Sequence, residues 1–344
     1  MLANAFRAYV RLHGMHETGQ SGSFRLGSKI PTGKPKQNVI MSLHLKLATF
    51  IMRSASNTAR FGWSQCNTPA FVESGSEPSI ATLREFEDGL GFFRPFEGLL
   101  SVRDFNGKDV LDLGCGHGGR TAYYALEGDP RSIVGVEITP ARIRVAFNSA
   151  RRLCSNKGML FAAGVGEALP FQSESFDAIV SYDVFEHVGD LQAVLRECHR
   201  VLRRGGRLYA LFPPYYGPRA HHLDFVTTLP FLHHVFRPRV LVDAANRILQ
   251  ERPNLRDSPL PAPSRSYLGR EVLPRLNGTT ERDFRRLVFE SPFKIDEIAL
   301  LPFAWGPGGT AKRAVRAFCR VMLSLPWPFT RDLFVGTIRC ILRK

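Results

Sequence analysis

Val110-Leu-Asp-Leu-Gly-Cys-Gly-His-Gly-Gly119 follows an apolar run at residues 108–113 and precedes a stretch with helical periodicity at residues 120–127. Glycines in such a turn let the backbone approach a ligand closely and leave the first N–H groups of the helix free for polar or anionic groups. Glu137 ends the next apolar run, where a carboxylate can accept hydrogen bonds from both hydroxyls of a ribose. The two features together indicate an adenosine-containing ligand.

Strands and helices alternate on both sides of this turn. Apolar runs predict strands at residues 108–113, 132–136, 159–163, 176–181, 206–212, 293–301 and 333–342. Helical periodicity is found at residues 80–89, 120–127, 140–157, 191–202, 237–249, 279–290 and 311–323. The predicted fold class is α/β: a doubly wound, mostly parallel, seven-stranded Rossmann-like sheet with a helical cap insertion.

Composition divides the chain into four segments. We expect a basic, disordered extension at 1–75, a cofactor-binding core at 76–216, an acceptor-side cap insertion at 217–290, and the final strands with a basic amphipathic helix at 291–344. The net charge of +15 comes from the two ends, because Lys and Arg outnumber Asp and Glu by 9 to 1 in residues 1–70 and by 8 to 1 in residues 301–344. A nucleic-acid groove across the fold is therefore not implied.

Cysteine spacing and hydropathy limit where in the cell the protein can be located. The six cysteines form no C-x-x-C pair, which favours a reducing compartment, and no apolar run reaches the roughly 18 residues of a spanning helix. We expect a cytoplasmic protein, with peripheral membrane contact through its basic ends and organelle targeting by its N-terminal segment left open. The oligomeric state is left open as well.

The glycine spacing alone also satisfies the G-x-G-x-x-G pattern of dinucleotide-binding domains. Asp112 separates the two interpretations, because a carboxylate inside the strand would repel a pyrophosphate and attract a positively charged methionine head. At this point the sequence resembles the class I S-adenosylmethionine-dependent methyltransferases, in particular the small-molecule branch similar to the quinone-biosynthesis enzymes. The resemblance covers about a third of the chain, including the segments at residues 164–171, 176–188 and 195–206.

The resemblance implies S-adenosyl-L-methionine as the cofactor and assigns roles by position. Asp112, Gly114 and Gly116 would line the methionine end, Glu137 would hold the ribose, and the adenine would lie beside Gly166 and Glu167. Gly118 and Ser181 complete the predicted cofactor contacts. The sequence departs from the family at Val165, where an aspartate often accepts a hydrogen bond from the adenine amino group.

Catalysis by in-line methyl displacement needs alignment, and it needs a base only where the acceptor must lose a proton. Three histidines near the predicted mouth are the candidates: His187, His221 and His222. No grouping of His, Cys, Asp and Glu has metal-ligand spacing, so we expect no metal.

The function predicted from the sequence is methyl transfer to a small-molecule or lipid- or glycan-linked acceptor. Three alternatives stay open: an NAD-dependent oxidoreductase, a nucleic-acid methyltransferase and a non-catalytic S-adenosylmethionine-binding protein. Phe212-Pro-Pro-Tyr-Tyr216 resembles the Asp/Asn-Pro-Pro-Tyr signature of amino-group methyltransferases, but Phe212 replaces its polar first residue and the segment follows the fifth strand instead of the fourth.

Overall fold

The computed structural model describes residues 35–54, 80–154, 158–252, 259–304, 308–325 and 331–344. The chain divides into two compact units, Met1–Ser42 and Leu43–Lys344, and the second carries the site described below. The segment boundaries predicted after residues 75, 216 and 290 stay predictions. Among the described helices, none is both long and apolar enough to cross a bilayer.

The second unit is built on seven long strands. They are β1 (Asp109–Leu113), β2 (Ser132–Glu137), β3 (Met159–Ala163), β4 (Phe176–Tyr182), β5 (Leu202–Phe212), β6 (Lys294–Pro302) and β7 (Val335–Arg343). They form one sheet in the order β3-β2-β1-β4-β5-β7-β6. The first five run parallel, and β7 is antiparallel to both of its neighbours. The predicted mostly parallel, seven-stranded sheet is confirmed.

Helices cover both faces of this sheet. The α-helices of the described residues, including those of the insertion after β5, are α1 (Pro35–Ser54), α2 (Ile80–Glu87), α3 (Gly89–Phe93), α4 (Gly119–Gly128), α5 (Pro140–Val145), α6 (Arg151–Leu153), α7 (Leu191–Val201), α8 (Leu232–Val235), α9 (Pro238–Glu251), α10 (Glu281–Phe289) and α11 (Thr310–Ser324). One apolar core lies between the sheet and helices α7 and α10, and a second, rich in Phe and Tyr, includes α3 and α4. The central strands are buried on both faces, as parallel strands under two helical layers should be.

A third apolar cluster belongs to the insertion between β5 and α10. Its centre is the buried face of α9, including Leu241 and Ile248, against which Ala48 and Met52 of α1 pack. This corrects the expectation of a disordered extension at residues 35–54, because apolar side chains four residues apart give α1 a face to bury. Residues 1–34 and 55–79 of the predicted extension lie outside the described residues.

Candidate functional site

The candidate site lies where β1 ends between β2 and β4, a point at which the strand order reverses. In open α/β sheets, ligands bind in the crevice beyond the carboxyl ends of such strands. Leu113 of β1 is in register with Val136 of β2 and Ser181 of β4, so Asp112 and Glu137 lie at this edge with Ser181. All three polar side chains are buried, and among the described residues the Ser181 Oγ has no hydrogen-bond partner.

The glycine loop after β1 is tightly folded. Gly114 and Cys115 both donate backbone hydrogen bonds to the carbonyl of Val136, at 2.8 and 3.0 Å. Gly114 has a φ of +81°, and a Cβ added there would lie 2.1 Å from the Val184 Cγ2. Gly118 is left-handed as well, at +79°, and begins α4. The loop therefore requires glycine at position 114 both for its conformation and for the close approach of the segment after β4.

Glu85 of α2 caps the loop, which corrects the expectation that the first N–H groups of α4 are free. Its carboxylate accepts hydrogen bonds from the backbone N–H groups of His117, at 3.0 and 3.1 Å, and Gly119, at 3.0 Å, and lies 2.8 Å from the His117 Nδ1. The physical reason is the partial positive charge at a helix N-terminus, which favours a carboxylate. Gly116 faces the same group, since a Cβ there would lie 2.7 Å from the Glu85 Oε1.

The loop is surrounded by carboxylates. Burial raises the pKa of Asp112 to about 6, although the Thr121 hydroxyl donates to its Oδ2 at 2.6 Å and Arg120 favours its charged form. Burial also opposes ionisation of Glu85, but hydrogen bonds from His117 and the charge of Arg120 bring the net pKa below its ordinary value. Glu137 accepts a hydrogen bond from the backbone N–H of Thr139 at 3.0 Å.

The predicted adenine side is a turn after β3. A bridge between Val165 and Ala168 closes this turn and places Gly166 against the side chain of Val194. The Glu167 Oε1 accepts hydrogen bonds from the backbone N–H groups of Gly189, at 2.7 Å, and Asp190, at 3.2 Å. Glu167 thus fixes the loop before α7, and its predicted contact with adenine stays a prediction.

The structure brings two of the three candidate histidines together. The rings of His187 and His222 meet edge to face, 4.9 Å between centroids, although their segments are separated by the whole of α7 and β5. The His187 Nδ1 donates to the carbonyl of Arg275 at 2.6 Å. Burial lowers the pKa of His187 and, with neighbouring histidines adding to it, lowers that of His222 to about 3. Both imidazoles are therefore neutral near pH 7.

The third candidate, His221, has both ring nitrogens engaged in hydrogen bonds to the backbone. Its buried ring donates from Nε2 to the carbonyl of Leu229 at 2.8 Å and accepts at Nδ1 from the N–H of Leu223 at 3.0 Å. A proton acceptor needs a nitrogen that faces its substrate. We therefore propose no catalytic role for His221, in contrast to the prediction from the sequence.

Two residues that sequence reasoning did not single out organise this side of the site. Glu186, next to His187, is buried, and among the described residues neither carboxylate oxygen has a hydrogen-bond partner. The Asn277 side chain donates to the carbonyls of Phe185, at 2.6 Å, and Val188, at 3.0 Å, and so holds the loop that carries Glu186 and His187. The position of Glu186 next to the candidate His187 could have identified it from the sequence. No local sequence feature identifies Asn277 as part of the site.

Three of the seven described non-glycine residues with a left-handed backbone lie on this side. Asp183, His222 and Arg275 have φ values of +55°, +52° and +67°. Such conformations are costly for residues other than glycine and cluster at functional sites. Their occurrence here favours the acceptor side as a place where geometry is imposed for function.

The Pro-Pro-Tyr segment lines a small cleft next to these groups. The cleft is narrow and is lined by Pro213, Tyr215, Glu186, His222 and Asn277, among others. Phe212 itself is buried in the core, with its ring 4.8 Å from that of Phe284. It therefore offers nothing to a target amine.

The comparisons with known proteins agree with this geometry. Residues 111–210 match a family model described as a methyltransferase domain. A phthiotriol/phenolphthiotriol dimycocerosates methyltransferase of Mycobacterium leprae is 32% identical over 130 residues, which are 36% of this chain and 45% of that protein. A fatty-acid O-methyltransferase of Mycolicibacterium smegmatis is 35% identical over 103 residues, 30% of this chain and 36% of that protein.

The chain thus spans less than half the length of these curated relatives. Among solved structures, an S-adenosylmethionine-dependent methyltransferase from Mesorhizobium loti is similar with a TM-score of 0.43 at 16% identity, over 74% of this chain and 98% of that one. The family match falls on β1 to β5 and contains the glycine loop, Glu137 and the loop after β4. Residues 111–210 of this chain therefore match a methyltransferase domain.

Proposed function

We propose that the protein transfers a methyl group from S-adenosylmethionine to a small-molecule or lipid-linked acceptor by in-line displacement. The observation that carries this proposal is the set of three carboxylates around the glycine loop: Glu85, Asp112 and Glu137. Arg120 and Arg142 offset part of this charge, but the three carboxylates outnumber them, and the excess negative charge attracts a cation and repels a phosphate. S-adenosylmethionine carries a sulfonium and an ammonium group and has no phosphate.

The residues at the loop fit this cofactor. Asp112 would face the cationic methionine end, and Glu137, at the end of β2, would accept hydrogen bonds from the ribose hydroxyls. The tight, left-handed backbone at Gly114 brings the loop close to the segment after β4, where the acceptor would enter. The cofactor supplies an electrophilic methyl group, and the task of the chain is to align the acceptor with it and keep water away.

An NAD-dependent oxidoreductase is disfavoured by Glu85. A dinucleotide-binding loop uses the first N–H groups of its helix to bind pyrophosphate. Here the N–H groups of His117 and Gly119 already donate to a carboxylate. A phosphate would have to displace Glu85 and would meet Asp112 as well.

A nucleic-acid methyltransferase and a non-catalytic binder also fit the site poorly. The first is disfavoured because the buried ring of Phe212 stands where the signature needs a polar side chain. The second is disfavoured by the neutral imidazoles of His187 and His222 at the acceptor side, which a sensor of the cofactor alone would not need. We assign His187 and His222 to the acceptor side, where they would help to position the acceptor.

A lipid acceptor is favoured over a water-soluble one by the surface of α11. Val315, Phe318 and Val321 on this helix are exposed, with Arg313 and Arg320 close in sequence. A helix with exposed apolar and basic side chains can lie at an anionic membrane surface. The two relatives described above are named for dimycocerosates and for fatty acids, both lipids.

The test of the cofactor is calorimetric titration of the full chain with S-adenosylmethionine, S-adenosylhomocysteine and NAD in parallel. We expect micromolar binding of the first two and none of NAD, and loss of binding in Asp112→Ala with the fold retained by circular dichroism. Binding of NAD, or an unchanged affinity in Asp112→Ala, would overturn the proposal. Transfer of a labelled methyl group to fatty-acid and phenolic lipid acceptors then tests the reaction.

The lipid surface has its own test, flotation with vesicles of anionic or zwitterionic phospholipid. We expect binding to the anionic vesicles, reduced in Phe318→Ser and unchanged in Phe289→Ser. Phe289 is a matched control, because it is an even more exposed phenylalanine on another helix, α10. Equal losses in both variants, or equal binding to both kinds of vesicle, would refute contact through α11.

A further inference from the structure

Glu186, His187 and His222 form a compact cluster beside the cleft at the Pro-Pro-Tyr segment. One carboxylate oxygen and one imidazole nitrogen from each ring all lie within 4.8 Å of one another. Glu186 and His187 follow β4, whereas His222 belongs to the insertion after β5. Glu186 and His187 are adjacent, but His222 lies 35 positions further along the chain, which is why the spacing predicted no metal site.

We propose that these three side chains bind a divalent transition-metal ion, with Zn²⁺ as the expected ion. Two neutral imidazoles and one carboxylate are the ligand set of zinc sites that keep a position open for water or substrate. The same set also suits ferrous iron. Mg²⁺ and Ca²⁺ prefer oxygen ligands, so a site with two nitrogen ligands would bind them weakly.

The buried carboxylate is the first independent argument for a ligand. Glu186 is 4% exposed, and within the part of the chain that the structure describes neither of its oxygens has a hydrogen-bond partner. Its Oε1 lies 3.7 Å from the His187 Nε2. A buried carboxylate without partners is costly, and a cation between it and the imidazoles would remove that cost.

The orientation of His187 is the second argument. Because the Nδ1–H of His187 donates to the Arg275 carbonyl, the Nε2 carries the lone pair and is the nitrogen next to Glu186. Ligating histidines typically donate their other ring N–H to a carbonyl or carboxylate in this way. Asn277 fixes the loop that carries both residues through two hydrogen bonds to its carbonyls.

The separations of the ligand atoms are close to those of a formed site. Zn–N and Zn–O bonds of about 2.0–2.1 Å imply ligand atoms roughly 3.4 Å apart in a tetrahedron. The 3.7 Å between Glu186 and His187 already approaches that value. The His222 nitrogen lies within 4.8 Å of both, so closing the site around an ion requires it to approach them by at most about 1.4 Å.

The open position of this ion would face the cleft lined by Pro213, Tyr215 and Thr279. This consequence rests on the proposed function: an acceptor hydroxyl bound there would lose its proton more readily, as metal-bound water does. Binding of the ion itself is independent of methyl transfer.

The test uses the full chain, stripped with a chelator and titrated with Zn²⁺ by calorimetry, and with Co²⁺ by absorption spectroscopy. We expect one site per chain and at least a hundredfold weaker binding in His222→Ala. His44→Ala is the matched control, because His44 is an exposed histidine on α1 and should leave the affinity unchanged. Absence of a stoichiometric site, or equal affinities in the two variants, would overturn the proposal.

Glu186→Gln gives a second test that does not depend on the folding of His222→Ala. It keeps the shape of the side chain and removes the charge, so the metal-free variant should melt at or above the wild-type temperature and lose the rise in melting temperature that Zn²⁺ gives to wild type. A Zn²⁺-induced rise as large as that of wild type would refute the site. Binding of S-adenosylmethionine to the metal-free protein, measured in parallel, shows whether a failure concerns the metal or the proposed function.

Discussion

The two sides of the candidate site are stabilised in opposite ways. On the glycine-loop side, the backbone N–H groups of Gly114, His117 and Gly119 all donate hydrogen bonds within the protein. On the acceptor side, the oxygens of Glu186 are buried without partners among the described residues. These N–H groups of the glycine loop are thus satisfied within the folded chain, whereas the acceptor side holds a buried carboxylate that a ligand would satisfy. A hydrogen-bonded glycine loop would hold the methyl donor in a fixed position. The unpartnered carboxylate on the acceptor side would be satisfied only when a ligand binds there, as expected for an enzyme that aligns an acceptor with its donor.

The largest expected effect is a loss of stability at the contact between the glycine loop and the segment after β4. Gly114→Ala places a Cβ 2.1 Å from Val184 at a φ of +81°, so it should destabilise the fold by about 3 kcal/mol in urea denaturation. The double variant Gly114→Ala/Val184→Ala removes the clash and leaves the backbone strain, so it should recover more than half of the loss. If the double variant is no more stable than the single one, the contact with Val184 does not set the position of the acceptor-side loop.

Asn277→Ala tests whether the acceptor side depends on its hydrogen bonds to the loop after β4. The variant loses two side-chain hydrogen bonds to carbonyls and a third that the Asn277 Oδ1 accepts from the Thr279 N–H, so it should be less stable by about 2 kcal/mol, with a roughly tenfold lower rate of methyl transfer. Asn246→Ala is the control, because Asn246 makes a similar pair of hydrogen bonds with Leu260, away from this loop. We expect a similar loss of stability there and an unchanged rate; equal rate losses would contradict a specific role for Asn277.

The pH dependence of cofactor binding tests the glycine-loop side. Burial raises the pKa of Asp112 to about 6, and a cationic cofactor needs its ionised form. The affinity should therefore be full above pH 7 and decrease as the pH falls through 6, by about tenfold at pH 5. Calorimetry between pH 5 and 8 measures this, with Asp112→Asn expected to bind weakly and without the pH dependence. A flat profile in wild type would remove Asp112 from the cofactor contact.

The smallest effect concerns Glu85. Glu85→Gln keeps an acceptor for the loop N–H groups but removes the negative charge at the start of α4, so S-adenosylmethionine should bind about threefold more weakly. Glu87→Gln on the same helix is the control, because Glu87 is exposed. A gain in affinity for adenosine diphosphate in the first variant alone would support the exclusion of phosphates by Glu85, whereas tighter binding of S-adenosylmethionine would contradict it.

Local patterns predicted most of the fold. The strand β3 begins and ends at the predicted residues. Of the helix expected at 140–157, the described part runs from Pro140 to Leu153 and includes a π-helical turn, Ala146–Ala150. Such patterns work because each strand or helix buries a face that its own sequence defines. The glycine loop and Glu137 were predicted for the same reason, since their elements adjoin in sequence and in space.

The remaining features depend on contacts between segments that are far apart in sequence. Glu85 reaches the glycine loop from a helix that precedes β1, and Asn277 reaches the loop after β4 from the far end of the insertion. The grouping of His222 with Glu186 requires the chain to pass through α7 and β5 and then return. Local hydrophobic periodicity does not predict contacts between segments that are far apart in sequence. The sequence therefore predicted the residues of the cofactor side, but not which residues come together on the acceptor side.

The place of β7 in the sheet sets an order for its assembly during synthesis. β7 lies between β5 and β6, although both precede it in the chain. Until residues 335–343 have left the ribosome, β5 presents an unpaired edge and β6 has no neighbour to join. An open edge of this kind is a template for association with other nascent chains. Closure of the sheet therefore follows the synthesis of its six other strands, and it includes hydrogen bonds between the backbone of Lys344 and that of Gly205 and Gly206. The nascent chain is most exposed to misassembly before this closure.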